Sequence, residues 1–254
     1  MVGGWLLVHA SWHGIFWFLT GVGVFLWMAN YFLLPETLHV SQRQQFHIKN
    51  LMAGYWKLGS DPRFVLLALA SGIPFNGMFL YVLSAPVFLG EHLGLQPQQF
   101  FWFFVLTISG IMGGAFVSGR VAGKTSPKQQ IRNGFLIMLI IGLLNLAANL
   151  AFKAHVSWAL FPIAIFAFGW AMMVPVVTLL VLDLHPDRRG MASSLQMFVG
   201  STANGLVAGV VSPLVMHSTV ALASASVLMM CLGLCSWVFI RRRWPEIGQK
   251  VDVL

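Results

Sequence analysis

Apolar residues along this chain fall into seven long runs separated by segments that are polar or rich in Gly and Pro. The runs cover approximately 13–34, 65–89, 101–122, 134–153, 157–182, 191–215 and 219–240. A run of about 20 apolar residues crosses the hydrocarbon layer of a bilayer as an α-helix. Transmembrane strands would be short segments alternating at a period of two, and these are absent. A backbone in lipid must satisfy its own hydrogen bonds. The pattern therefore predicts an all-α integral membrane protein with about seven transmembrane helices.

Composition strengthens this reading. Hydrophobic residues make up 58% of the chain and charged residues 9%, against roughly 25% charged in a soluble domain. So large an apolar surplus predicts the lipid bilayer as its partner. The net charge of +8 would suggest nucleic acid only if the cations formed a stripe on a soluble face, and they do not. Arg43, Lys49, Lys57 and Arg63 lie in 35–64, and Arg120, Lys124, Lys128 and Arg132 follow the third run. Arg188 and Arg189 follow the fifth, and Arg241, Arg242, Arg243 and Lys250 the last. Lys153 alone lies on the alternate side, so fourteen of the fifteen basic residues share one side. The positive-inside rule makes that side cytoplasmic, with the N-terminus outside and the C-terminus inside.

The segment 35–64 is the longest connection. Within it Ile48, Leu51, Met52, Tyr55 and Trp56 recur at helical spacing, with Lys49, Asn50 and Lys57 off that face. Two readings fit: a basic amphipathic helix on the inner leaflet, or a loop packed beneath the bundle. Six spans remain, and helix count alone suggests two sets of three, 65–153 and 157–240, as an inverted repeat requires.

Small residues predict where helices approach closely in lipid. Gly110 and Gly114, with Ser118 a turn on, form one stripe; Ser201, Gly205 and Gly209, followed by Pro213, form another. Either stripe would serve static packing or a moving, gating interface. Pro74, Pro86, Pro162, Pro175 and Pro213 predict bent helices. Polar side chains within spans must face protein or water. These are Asn76, Tyr81, Ser84, Asn145, Asn149, Thr178, Gln196, Ser201 and Asn204. From them Asn76, Tyr81, Ser84, Thr178 and Asn204 are candidates for a substrate path. Met172 joins them because it lies three residues before Pro175 and its thioether adapts to varied ligands. Interhelical hydrogen bonds are the competing role for each.

No Asp, Glu, Lys or Arg lies in the middle of a span, so the chain carries no apparent proton relay of its own. It also lacks the paired carboxylates, His/Cys clusters and nucleophile–base arrangements of an enzyme. His9 and His13 stand four apart beside Trp5 and Trp12, as interfacial anchors would. Cys231 and Cys235 share one turn of the last run, which suits packing better than a disulfide or metal. No catalytic residue, metal or cofactor is expected. Met1 to Trp5 shows no basic region of a signal peptide.

Several motifs resemble the bicyclomycin-resistance (Bcr/CflA) drug-efflux subfamily of the major facilitator superfamily. Gly3-Gly4-Trp5 followed by Ser11-Trp12-His13-Gly-Ile-Phe16-Trp17 is similar to the end of that family's fifth helix and the start of its sixth. Leu34-Pro35-Glu36-Thr37-Leu38 resembles the exit from helix six, and Asp61-Pro62-Arg63-Phe64 the lead-in to helix seven. The Tyr81–Pro86 stretch resembles that helix's Tyr-x-x-Ser-x-Pro, and Gly190-Met-Ala192-Ser193-Ser194-Leu195 the start of helix eleven. The chain departs from the family in two places. The Gly-Pro that opens the helix-five motif is not present before Gly3. Gly119 precedes Arg120 where the loop signature Gly-x-x-x-Asp-Arg-x-Gly-Arg-Lys has Asp.

The resemblance implies a twelve-helix exporter of small hydrophobic drugs by proton antiport in a bacterial inner membrane, of which this chain matches the second half. Residues 1–34 then correspond to a remnant of helix five plus helix six, and 35–64 to the central cytoplasmic loop. Residues 65–240 correspond to the C-terminal six-helix domain and 241–254 to a cytoplasmic tail. The expected partner is the remaining N-terminal helices, where the coupling carboxylate would lie. The alternatives are a seven-helix receptor-like protein, although the last span lacks the buried lysine of a retinal protein, or an inactive truncated product.

Overall fold

A computed structural model describes the backbone of residues 2–35 and 47–248, with side chains from 12 onward. The cations Arg43 and Lys250, and Glu36-Thr37-Leu38 of the helix-six exit motif, lie outside the described residues. So do the side chains of Trp5, His9 and Ser11. The chain divides into two units, Met1–Asn50 and Leu51–Leu254.

Among the described residues, seven helices are long and apolar enough to cross a membrane: Trp12–Leu33, Pro62–Leu83, Pro97–Val121, Pro127–Ala151, Val156–Asp183, Pro186–Val215 and Thr219–Arg243. No strand occurs among the described residues.

In the first unit, α1 (Val2–Leu33) exposes most side chains from Trp12 onward. Two of its polar side chains turn back onto their own helix. Thr20 Oγ1 donates to Phe16 O at 2.8 Å and Asn30 Nδ2 to Leu26 O at 2.8 Å, which satisfies these two donors within the helix.

The expected amphipathic helix is α2 (Ile48–Gly59), whose buried positions are Gly54 and Leu58. It is followed in the second unit by the membrane helices α3 (Pro62–Leu83), α4 (Phe101–Val121) and α5 (Pro127–Ala151). The one-turn α6 (Val156–Ala159) leads into α7 (Phe161–Asp183) and α8 (Arg189–Leu206). The one-turn α9 (Ser212–Val215) precedes α10 (Thr219–Arg243). Helix α7 is central and packs against α3, α4, α5 and α8, while α10 packs against α3 and α5.

Helix starts follow local chemistry. Asp61 caps α3 by accepting from Arg63 N at 2.9 Å, with Pro62 at the first helical position. Ser126 caps α5 by accepting from Gln129 N at 3.3 Å, again followed by Pro. This cap starts α5 seven residues before the apolar run at 134, because a helix can extend past the hydrocarbon into the polar layer. After α3, Pro86–His92 forms a π-helical segment, and Val207–Val211 does the same before Pro213. Each sits beside a proline, whose missing N–H disturbs the regular ladder.

Helix α2 meets α8 closely. A Cβ on Gly54 would collide with the Met191 side chain, and Tyr55 Oη lies 2.8 Å from Ser194 Oγ. Ile48, Met52 and Trp56 of the expected apolar face remain 64–79% exposed. The helix thus packs under α8 through one face and keeps an apolar stripe on another.

Candidate functional site

Helices α3, α7 and α8 enclose a cleft of ≈ 330 Å³. Each contributes one face at helical spacing: Ser71 and Phe75 from α3, Trp170 and Thr178 from α7, Gln196 and Asn204 from α8. Gly72 lets α3 and α8 approach, since a Cβ there would stand 3.3 Å from Gly200 Cα.

Gln196 ties the three walls together. Its Nε2 donates to Ser71 Oγ at 3.1 Å and to Thr178 Oγ1 at 3.2 Å. Trp170 Nε1 donates to Ser71 O at 2.9 Å. The Phe75 ring lies 4.9 Å from Trp170 and 5.3 Å from Phe79. The cleft is lined by aromatic, small and neutral polar groups, with no ionisable side chain among them. Asn204 Oδ1 is buried and accepts no hydrogen bond. The arrangement can hold an uncharged aromatic surface and satisfy a few hydrogen bonds.

Of the six sequence-derived path candidates, Thr178 and Asn204 line this cleft. Asn76, Tyr81, Ser84 and Met172 are buried between helices and do not line it. Asn76 Nδ2 donates to Gly72 O at 3.2 Å, and its Oδ1 has no partner. Tyr81 Oη accepts from Asn145 Nδ2 at 2.9 Å, beside a gap of ≈ 10 Å³, at the limit for one water. Ser84 Oγ lies 3.1 Å from Ser212 Oγ. Met172 O accepts from Gln130 Nε2 at 2.9 Å. Helical geometry explains the difference: Asn76 follows Phe75 by one residue, a turn of about 100° away from the cleft.

The glycine stripes differ. A Cβ on Gly110 would collide with Ala164 O, and one on Gly114 with Phe168 O, so α4 and α7 are in backbone contact. Gly205 and Gly209 have nothing within 4 Å, and Ser201 lies on the cleft wall. Pro175 lies inside α7 without ending it.

Ser71, Phe75, Trp170 and Gln130 were not among the sequence-derived site residues. Gln130 donates to Ser118 Oγ at 2.7 Å as well as to Met172 O, joining α4, α5 and α7. Its position near the start of α5 places it before the apolar run that singled out other polar residues. At the foot of α3, Asp61 pairs with Arg63 at 2.8 Å, and His185 Nε2 lies 3.4 Å from its Oδ2. Burial pushes the Asp61 carboxyl up, but hydrogen bonds from Arg63 outweigh it and hold it below its ordinary range.

The Major Facilitator Superfamily profile matches residues 1–208. The chain is 27% identical to the uncharacterized MFS-type transporter YdgK of Bacillus subtilis over 98% of its own length and 62% of the relative. It is 24% identical to the bicyclomycin resistance protein homolog of Haemophilus influenzae, over 82% of this chain and 53% of that protein. It is 26% identical to multidrug resistance protein D of Escherichia coli, over 99% of this chain and 62% of that protein. The chain therefore spans between half and two thirds of the length of these curated relatives. With its all-helical fold and seven candidate spans, this chain belongs to the Major Facilitator Superfamily of membrane transporters.

Proposed function

We propose that the chain forms one half of a drug-efflux transporter, and that the α3–α7–α8 cleft is its share of the substrate path. The observation that carries this reading is a neutral cleft with an aromatic wall, crossed by the Gln196 hydrogen bonds. Similarity to a bicyclomycin resistance protein homolog and a multidrug resistance protein supports drugs as the cargo. In this reading the protein sits in a bacterial inner membrane with its basic loops in the cytoplasm. Complementary N-terminal helices close the cleft and supply the carboxylate for proton antiport, and the two halves rock about the site. Thr178 and Asn204 contact cargo directly. Asn76, Tyr81, Ser84 and Met172, buried between helices behind the cleft, support its walls without touching cargo.

Cysteine labelling tests the site. With Cys231 and Cys235 replaced by Ser, thiols introduced at Thr178, Ser201 and Asn204 should react with an aqueous reagent and be protected by hydrophobic drugs. Inert thiols at all three positions would overturn the assignment. The coupling is tested separately: expressed alone in a pump-deficient host, the chain should leave drug sensitivity unchanged. Proton-gradient-dependent export by this chain alone would place coupling within it.

A further inference from the structure

A second recess, of ≈ 160 Å³, lies between α5 and α10 and shares no residue with the cleft. Helix α5 lines it with Arg132, Phe135, Leu136 and Leu139, and α10 with Leu234, Trp237, Val238 and Arg241. Both sets follow the i, i+3, i+4, i+7 spacing of a single helix face. Helix α5 leaves the basic end of the bundle and α10 returns to it. Register therefore places both arginines at that end and Leu139 and Leu234 about 10 Å deeper, seven residues at 1.5 Å each.

The recess is apolar at depth and cationic at its mouth. Arg132 and Arg241 are exposed and form no ion pair among the described residues. Trp237 is 2% exposed, and its indole Nε1–H is buried without an acceptor. The Trp237 ring thus closes the inner wall of the recess. Paired guanidinium groups favour phosphate, which they engage through two parallel hydrogen bonds. A groove that continues into the hydrocarbon favours an acyl chain, and basic pockets between transmembrane helices take anionic headgroups.

We propose that this recess binds an anionic phospholipid from the leaflet at the basic end of the bundle. Arg132 and Arg241 hold the phosphate at the mouth of the recess. One acyl chain lies along Leu136 and Val238 toward Leu139 and Leu234. This site is independent of the transport reading and of the α3–α7–α8 cleft.

Native mass spectrometry of the purified full chain in neutral detergent tests it. Phosphatidylglycerol should be retained about tenfold better than phosphatidylcholine with the same chains, because the choline cation of the latter sets a like charge beside the two arginines. Replacing both arginines (R132Q/R241Q) should remove that preference, whereas R242Q/R243Q, off the recess, should preserve it. If the double variant fails to fold, R132Q alone should reduce the preference by several-fold. Equal retention of the two lipids, or a preference that survives R132Q/R241Q, would overturn the proposal. So would thermal stabilisation by glycerol 3-phosphate equal to that by the lipid, since the ligand would then be a free phosphate.

Discussion

Two stripes of small residues in this chain look alike in sequence and stand in opposite situations in the structure. On α4, Gly110 and Gly114 lie against the backbone of α7, where a Cβ would strike a carbonyl oxygen. On the α8 stripe, Gly205 and Gly209 meet nothing within 4 Å. The first stripe closes an interface within the chain, while the second leaves a surface open beside the cleft. A small-residue pattern thus records that a close approach is permitted, without specifying its partner.

The largest expected effect tests that contrast directly. Gly114→Leu should destabilise the bundle by about 3 kcal/mol or prevent folding, because overpacking here must displace helix backbone. Gly205→Leu should leave the melting temperature of this chain nearly unchanged. Thermal unfolding in detergent reads both, and equal losses would mean that the second stripe is also packed.

Most of the membrane architecture was legible from the apolar runs, because hydrocarbon imposes length and composition on every span. The cleft was less legible. Polarity singled out Asn76, but rotation about the helix places Phe75 on the wall. Asn145 and Tyr81, both expected to face protein or water, bond to each other. Gln130 gave no signal because α5 begins before its apolar run, although its amide joins three helices. A one-dimensional pattern identifies which groups need partners, whereas helix rotation and packing decide which partners they find.

The next prediction sharpens the closed side. Gln130→Leu should cost about 2 kcal/mol, because Ser118 and the Met172 carbonyl lose their donor within a buried site. Urea or thermal unfolding checks the loss. A neutral outcome would mean that water replaces the amide.

A smaller effect separates the cleft from its surroundings. Tyr81→Phe should cost about 1 kcal/mol by removing the acceptor for Asn145, with no change in which drugs protect a thiol at Asn204. Gln196→Leu should instead alter that drug profile, because it removes the hydrogen bonds that position Ser71 and Thr178. The same profile change in both variants would erase the distinction between cleft wall and buried tie.

The smallest expected effect concerns the foot of the open side, where Asp61 caps α3 and faces His185 beyond the end of α7. The Asp61 carboxyl is held below its ordinary value of 3.8. A carboxyl with a lowered folded-state pKa stabilises the fold fully above its unfolded value, and that contribution is lost as pH falls through the folded value. The melting-temperature difference between the natural chain and Asp61→Asn should therefore shrink as pH falls below about 3.8, near the ordinary carboxylate value. The atoms nearest a Cβ at Gly114 belong to Phe168 and Ala171, with no carboxylate among them, so the natural chain and Gly114→Ala should keep a constant difference over the same acidic range. Melting curves across pH measure both series. A difference for Asp61→Asn that persists unchanged into acid would show that the side chain acts through its shape and neutral hydrogen bonding rather than through its charge.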